Sequence, residues 1–142
     1  MIVLDTTVLV YAKGADHPLR DPSRRLIGAI ASAQVEATTT PEVIQEFMHV
    51  RARRHDRASA ATLAHDYAEL LSPLLVVDRP QLDRGLLLFE AVTDLGAFDA
   101  VLAAAALAAA ATHLVSADRA FGDVDGLDHV QPDVAGIATL IG

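Results

Sequence analysis

Two short apolar runs that each end on an aspartate do most to limit how this chain can fold. Met1-Ile2-Val3-Leu4 runs into Asp5, and Leu114-Val115-Ser116-Ala117 runs into Asp118. Runs of this length are too short for a helix and read as strands buried on both faces. Val35 to Thr39, β-branched and rich in threonine, reads as another strand, as does Leu74 to Val77 between two prolines. Val130 marks a short further one. Helical segments separate these runs. A short helix from Thr7 to about Lys13 takes a threonine cap. Asp21-Pro22 opens a helix to Ala33, Thr40-Pro41-Glu42 opens one to about Arg53, and Asp56 caps the next. Two more run from Pro80 to about Thr93 and, rich in alanine, from Asp99 to Thr112. This alternation predicts an α/β domain with a central, mainly parallel sheet of four to five short strands.

The bounds on function are firm in some directions. A chain of 142 residues is expected to form a single domain over 1–142, burying about 68–70% of its unfolded surface without staples. With no cysteine, disulfides, thiolate metal sites and cysteine nucleophiles are excluded. The longest apolar run, Ala100 to Ala111, falls short of the ~20 residues that span a membrane. The N-terminus lacks the basic region of a secretory signal. A soluble, cytoplasmic protein is therefore expected. The net charge of −8 argues against broad, sequence-blind binding of nucleic acid. It leaves room for a local basic patch, and Arg51, Arg53, Arg54 and Arg57 cluster in a chain whose one lysine is Lys13.

Four acids stand in apolar surroundings. Asp5 and Asp118 follow strands, and in open parallel sheets ligands bind beyond the carboxyl ends of strands. Glu46 interrupts the stripe of Val43, Phe47 and Val50, where a carboxylate must snorkel, pair with Arg24 or Arg25, or face a cation. Asp99 opens the alanine-rich helix, a position that also complements the helix dipole. Asp5 and Asp118 can equally serve as turn or helix caps. Clustered carboxylates resist ionisation unless a cation or hydrogen bonds compensate them, so a divalent metal is the simplest reason to gather these four. Asp123, Asp125, Asp128 and Asp133 lie in a turn-rich segment without the spacing of a calcium loop and read as solvated turn residues, with Asp123 the one that could approach the site. The six histidines form no HExxH pair, and no Walker, G-x-S-x-G or G-x-G-x-x-G pattern occurs.

The ordered set of segments Val3-Leu4-Asp5-Thr6-Thr7-Val8-Leu9-Val10-Tyr11, Pro41-Glu42-Val43-Ile44-Gln45-Glu46-Phe47, Phe98-Asp99-Ala100-Val101-Leu102-Ala103-Ala104-Ala105 and Leu114-Val115-Ser116-Ala117-Asp118-Arg119-Ala120-Phe121 resembles a PIN domain, most closely the small bacterial VapC-type toxins of toxin–antitoxin pairs. Thr7 stands where serine or asparagine is frequent in that family, and Ser116 where threonine is; both keep a hydroxyl. The resemblance implies a three-layer α/β/α fold with Asp5, Glu46, Asp99 and Asp118 converging in one groove. It further implies Mg²⁺- or Mn²⁺-dependent endoribonuclease activity, a homodimer and a cognate antitoxin. On that pattern Asp5, Asp99 and Asp118 bind metal, Glu46 serves the attacking water, and Thr6 and Ser116 steady the carboxylates. Arg51, Arg53, Arg54 and Arg57 are candidates for the RNA backbone. A housekeeping RNA-processing nuclease, a metal-dependent phosphatase and a non-catalytic binding module remain as alternatives.

Overall fold

The computed structural model describes all 142 residues. The sheet has four strands, β1 (Ile2–Leu4), β2 (Ala37–Thr38), β3 (His113–Val115) and β4 (His129–Val130), in the order β2-β1-β3-β4. Every pairing is parallel, with Ile2 opposite Ala37 on one side and Leu4 opposite Val115 on the other. Seven helices flank it: α1 (Thr6–Lys13), α2 (Arg20–Ala31), α3 (Pro41–Arg54), α4 (Arg57–Leu71), α5 (Arg79–Ala91), α6 (Ala97–Ala108) and α7 (Val134–Ile141). Together they form the three-layer α/β/α arrangement. β1 and β3 are buried along nearly their whole length. Their side chains join Val8, Leu9, Leu26, Phe47, Leu102 and Phe121 in one core, where each fully buried side chain of this size contributes about 1.5–3 kcal/mol.

Local chemistry sets the helix ends. The Thr40 hydroxyl accepts the Val43 N–H at 3.3 Å, with Pro41 in the first turn of α3. Asp56 accepts the Ser59 N–H at 2.7 Å to start α4. Asp78 and Gln81 cap α5 reciprocally. Alanines at 100, 103, 104 and 106 in α6 have no exposed surface, so neighbouring backbones approach closely. Gly85 of α5 is the counterpart: a Cβ there would lie 2.9 Å from the Val101 Cα.

Several boundaries differ from the sequence expectation. Leu74 to Val77 is not a strand. One backbone bond, Leu75 N–H to the Thr39 carbonyl at 2.9 Å, joins it to the chain just after β2. Leu74 and Leu75 pack on the core while Val76 is 75% exposed, which satisfies the apolar pattern without a ladder. The cap of α1 is Asp5 rather than a threonine. Asp21 sits in the first turn of α2, whose N-cap is Leu19. The alanine-rich helix starts two residues earlier, at Ala97, and ends at Ala108, so Asp99 lies within its first turn. The C-terminal helix α7, capped by Asp133 through the Gly136 N–H at 2.7 Å, was not anticipated.

Candidate active site

In the strand order β2-β1-β3-β4, chain continuity leaves β1 to one side and later reaches β3 on the other. The crevice of a parallel sheet opens at such a switch point, beyond the carboxyl ends of the strands. Asp5 follows β1 there, and Ser116 and Asp118 follow β3. The ladder continues one step past the strands, with the Asp5 N–H donating to the Val115 carbonyl at 3.0 Å. That step brings the Ser116 hydroxyl to Asp5 Oδ2 at 2.6 Å.

Asp5 is only 3% exposed, and its surroundings explain how a buried carboxylate is held. Thr7 Oγ1 donates to the same Oδ2 at 3.0 Å. Both hydroxyls are themselves committed as donors, because Ser116 Oγ accepts the Asp118 N–H and Thr7 Oγ1 accepts the Ala117 N–H, each at 3.0 Å. Two backbone N–H groups thus polarise two hydroxyls toward one carboxylate oxygen, while Oδ1 takes part in none of these bonds. Asp5 caps α1 as well, through a longer 3.5 Å contact from the Thr7 N–H. Asp118 combines roles in the same way, accepting the Ala120 N–H at 2.9 Å to start a 3₁₀ turn over Arg119–Asp123.

Glu46 reaches the crevice from α3. Its side chain is exposed, and Oε2 accepts the Thr6 hydroxyl at 3.0 Å. Pairing with Arg24 or Arg25 does not occur; Arg24 Nε instead donates to the Ala12 carbonyl at 2.8 Å. Asp99 enters from the first turn of α6. Its carboxyl is pushed up from 3.8 to about 7, first by burial, then by repulsion from Asp5, Asp118 and Glu46, and last by a hydrogen bond with Asp118. The N-terminal helix dipole favours its ionised form by only about 0.3–1 kcal/mol, too little to offset burial plus three like charges. None of these acids forms an ion pair with a protein cation; the ion pairs are Arg20 with Asp16 and Asp21, and Arg79 with Asp83.

Two clefts meet at the acids. One, of about 260 Å³, is lined by Asp5, Thr6, Thr7, Glu46, Asp99 and Asp118, with Arg54 at its edge. The other, of about 360 Å³, is mainly apolar and runs between α3, α5 and α6, past Leu82, Leu86, Phe89 and Phe98. The four sequence-predicted acids therefore share one cleft. They do not close into a preformed cage, because no three acidic or histidine side chains stand as a ready metal shell. An all-oxygen donor set with open coordination suits a hard cation that retains several waters, as Mg²⁺ does. Asp99, crowded by three carboxylates, is where such a cation relieves most repulsion.

The candidate arginines divide. Arg54 lines the acid cleft, and Arg51 faces a smaller pocket behind it. Arg57 lines a different groove with Gln45, Met48 and His49, and Arg53 is exposed. Their closeness in sequence thus does not make one patch. Asp123 is exposed and does not line the acid cleft. Sequence inspection missed Thr7 as a partner of Asp5. The signal was present, a second hydroxyl at the helix start, but its meaning depends on the β1–β3 register.

Fold and cleft define a class: parallel α/β proteins that gather carboxylates where the two central strands end. The chain belongs to the PIN-domain family, whose model matches residues 2–127, and within it to the VapC type. It is 57% identical over 146 aligned positions to "Ribonuclease VapC7" of Mycobacterium tuberculosis strain H37Rv, an alignment that covers 100% of this chain and 99% of that protein. "Ribonuclease VapC23" of Mycobacterium tuberculosis strain CDC 1551 is 36% identical over 73 residues, covering 49% of this chain and 58% of the relative.

Proposed function

We propose that this protein is a divalent-metal-dependent endoribonuclease, the toxin of a toxin–antitoxin pair that restrains growth or translation by cutting RNA. The observation that carries the proposal is Asp99, a carboxyl pushed toward neutrality first by burial and then by Asp5, Asp118 and Glu46, with none of the four acids in an ion pair with a protein cation. Such an arrangement is costly for folding and suits a site that binds a cation. Full-length similarity to a protein named as a ribonuclease supports the choice of RNA.

In this proposal Asp5, Asp99 and Asp118 hold Mg²⁺ or Mn²⁺, which when bound supplies Lewis acidity and neutralises phosphate charge. Asp5 presents Oδ1, because its other oxygen is already bonded by Ser116 and Thr7. Glu46 accepts the proton of the attacking water. The Thr6 hydroxyl, bonded to Glu46 Oε2, keeps that carboxylate turned to the cleft, and Ser116 does the same for Asp5. Arg54, at the cleft's edge, draws the RNA backbone toward the acids.

A cognate antitoxin and a homodimer belong to the proposal. Leu86, Leu87, Phe89 and Phe98 are 57, 68, 52 and 80% exposed, and such apolar clustering on a surface marks contact with a partner. No helix is long and apolar enough to cross a membrane.

The test is cleavage of total cellular RNA by purified, antitoxin-free protein with Mg²⁺ or Mn²⁺, beside Asp5→Asn and an EDTA control. Discrete fragments lost in both controls are expected. Asparagine retains an acceptor for the α1 cap and for Ser116, so a folded Asp5→Asn protein with full activity overturns the assignment. Release of phosphate from small monoesters, without RNA cleavage, identifies a phosphatase instead.

A further inference from the structure

Behind the acid cleft, where α1 and α3 end, lies a pocket of about 130 Å³ lined by Lys13, Gly14, Arg51, Arg54 and His55 over a floor of Val10, Phe47 and Val50. Its walls hold the one lysine of the chain and two of its arginines, yet no acidic side chain. None of these cations pairs with a carboxylate anywhere in the protein. In a chain of net charge −8, unpaired cations gathered in one concavity call for an anion. The pocket is also continuous with the acids, because Val10, Val50 and Arg54 line both.

We propose that this pocket is a subsite for a non-scissile phosphate of the RNA strand, whose scissile phosphate lies at the acids. The inference rests on the ribonuclease reading and adds the path of the substrate along α3, with Lys13 and Arg54 as its anchors. Arg51 Nη1 donates to the Lys13 carbonyl at 2.9 Å, which ties the two helix ends together across the pocket. Its Nε is buried without a hydrogen-bond partner, although buried donors are nearly always satisfied.

Capping of the helix dipoles is the competing explanation, since cations favour helix C-termini. It accounts for Arg51, which bonds a terminal carbonyl. Lys13 and Arg54 also stand in the last turns of α1 and α3, and the Lys13 ammonium lies 6.0 Å from the Tyr67 ring centroid, but neither role engages their charges in an ion pair, which leaves both free to meet an anion. Because the pocket sits at helix C-termini, no array of backbone N–H groups attracts the anion. Side-chain charge carries the binding, so salt weakens it steeply.

The experiment measures binding of a fluorescein-labelled, mixed-sequence single-stranded RNA oligonucleotide to the full chain in EDTA, across a KCl series, beside cleavage of total RNA with Mg²⁺. Wild type, Lys13→Gln/Arg54→Gln, Arg54→Lys and Arg57→Gln are compared after circular dichroism has verified their folding. Loss of one phosphate contact lowers the slope of log affinity against log salt by about 0.7 for a single strand. The double variant is expected to lose at least that much, Arg54→Lys to keep the slope, and Arg57→Gln to match wild type. An unchanged slope in the double variant, with wild-type cleavage intact, overturns the subsite and leaves the ribonuclease reading standing. Equal losses in Arg57→Gln also overturn it, by showing a diffuse charge effect. If wild type neither binds nor cleaves RNA, the ribonuclease reading fails and the subsite with it.

Discussion

Asp99 sets the pH behaviour of the metal-free protein. Burial and the neighbouring carboxylates push its carboxyl up from an ordinary 3.8 to about 7, so between those values the folded state binds more protons than the unfolded one. Stability then falls as pH rises, because the slope follows protons bound in the unfolded state minus those bound in the native state. Metal-free protein is therefore expected to lose thermal stability from about pH 4 to about pH 7 on account of this group, and to level off above. Asp99→Asn removes the charge and keeps the shape. In EDTA at pH 8 it is expected to melt several degrees above wild type, with a flatter pH profile and no nuclease activity. Scanning calorimetry from pH 5 to pH 8 checks this, and a variant no more stable than wild type at pH 8 refutes the account. At this scale Asp5, Glu46, Asp99 and Asp118 were legible because a charge in apolar sequence contradicts its surroundings. Thr7 and Lys13 were not. A hydroxyl or lysine near a helix end fits its local context; what Thr7 bonds is fixed only when β1 pairs with β3, and the pocket that Lys13 lines forms only when α1 meets α3.

The contact of α5 on α6 positions Asp99, because the first turn of α6 carries that acid and the helix leans on Gly85. A methyl group at residue 85 would lie 2.8 Å from Val101 Cγ2 and 2.9 Å from its Cα. A side-chain atom can turn away, but a backbone atom moves only with its helix. Gly85→Ala is therefore expected to cost about 1–3 kcal/mol through overpacking, despite the better helix propensity of alanine. It also displaces α6, so RNA cleavage should fall more than the loss of folded protein explains. Denaturant titration and the rate per folded molecule separate the two effects; an unchanged midpoint refutes the packing argument. Helices with local start signals, Thr40-Pro41 and Asp56, were readable from sequence because their caps are built within three residues. Leu74 to Val77 was misread since apolar content signals burial, whereas a strand also needs a partner whose backbone is free over several residues. Helix α7 escaped notice because Asp133 resembled the solvated acids before it and only its bond to the Gly136 N–H reveals the cap.

The molecule as a whole carries a net charge of −8, part of it concentrated where four acids share a cleft and none of them forms an ion pair. Folding without metal works against that repulsion, so a divalent ion that binds the native state alone should stabilise the entire domain. At a hundredfold excess over Kd the gain is about 2.7 kcal/mol, which for a chain of this size corresponds to roughly 5–15 °C in Tm. The gain should be larger at pH 8 than at pH 6, because at the lower pH the ion must displace a proton from Asp99. Sodium chloride at matched ionic strength screens the acids without entering their coordination, and should reproduce only a small part of the shift. Melting curves of wild type, Asp5→Asn and Asp99→Asn in EDTA, NaCl, MgCl₂ and MnCl₂ resolve these contributions. The carboxylate variants should gain little from either divalent ion. If wild type gains no more from MgCl₂ or MnCl₂ than from matched NaCl, the cleft is not a divalent-metal site, whatever RNA the protein binds.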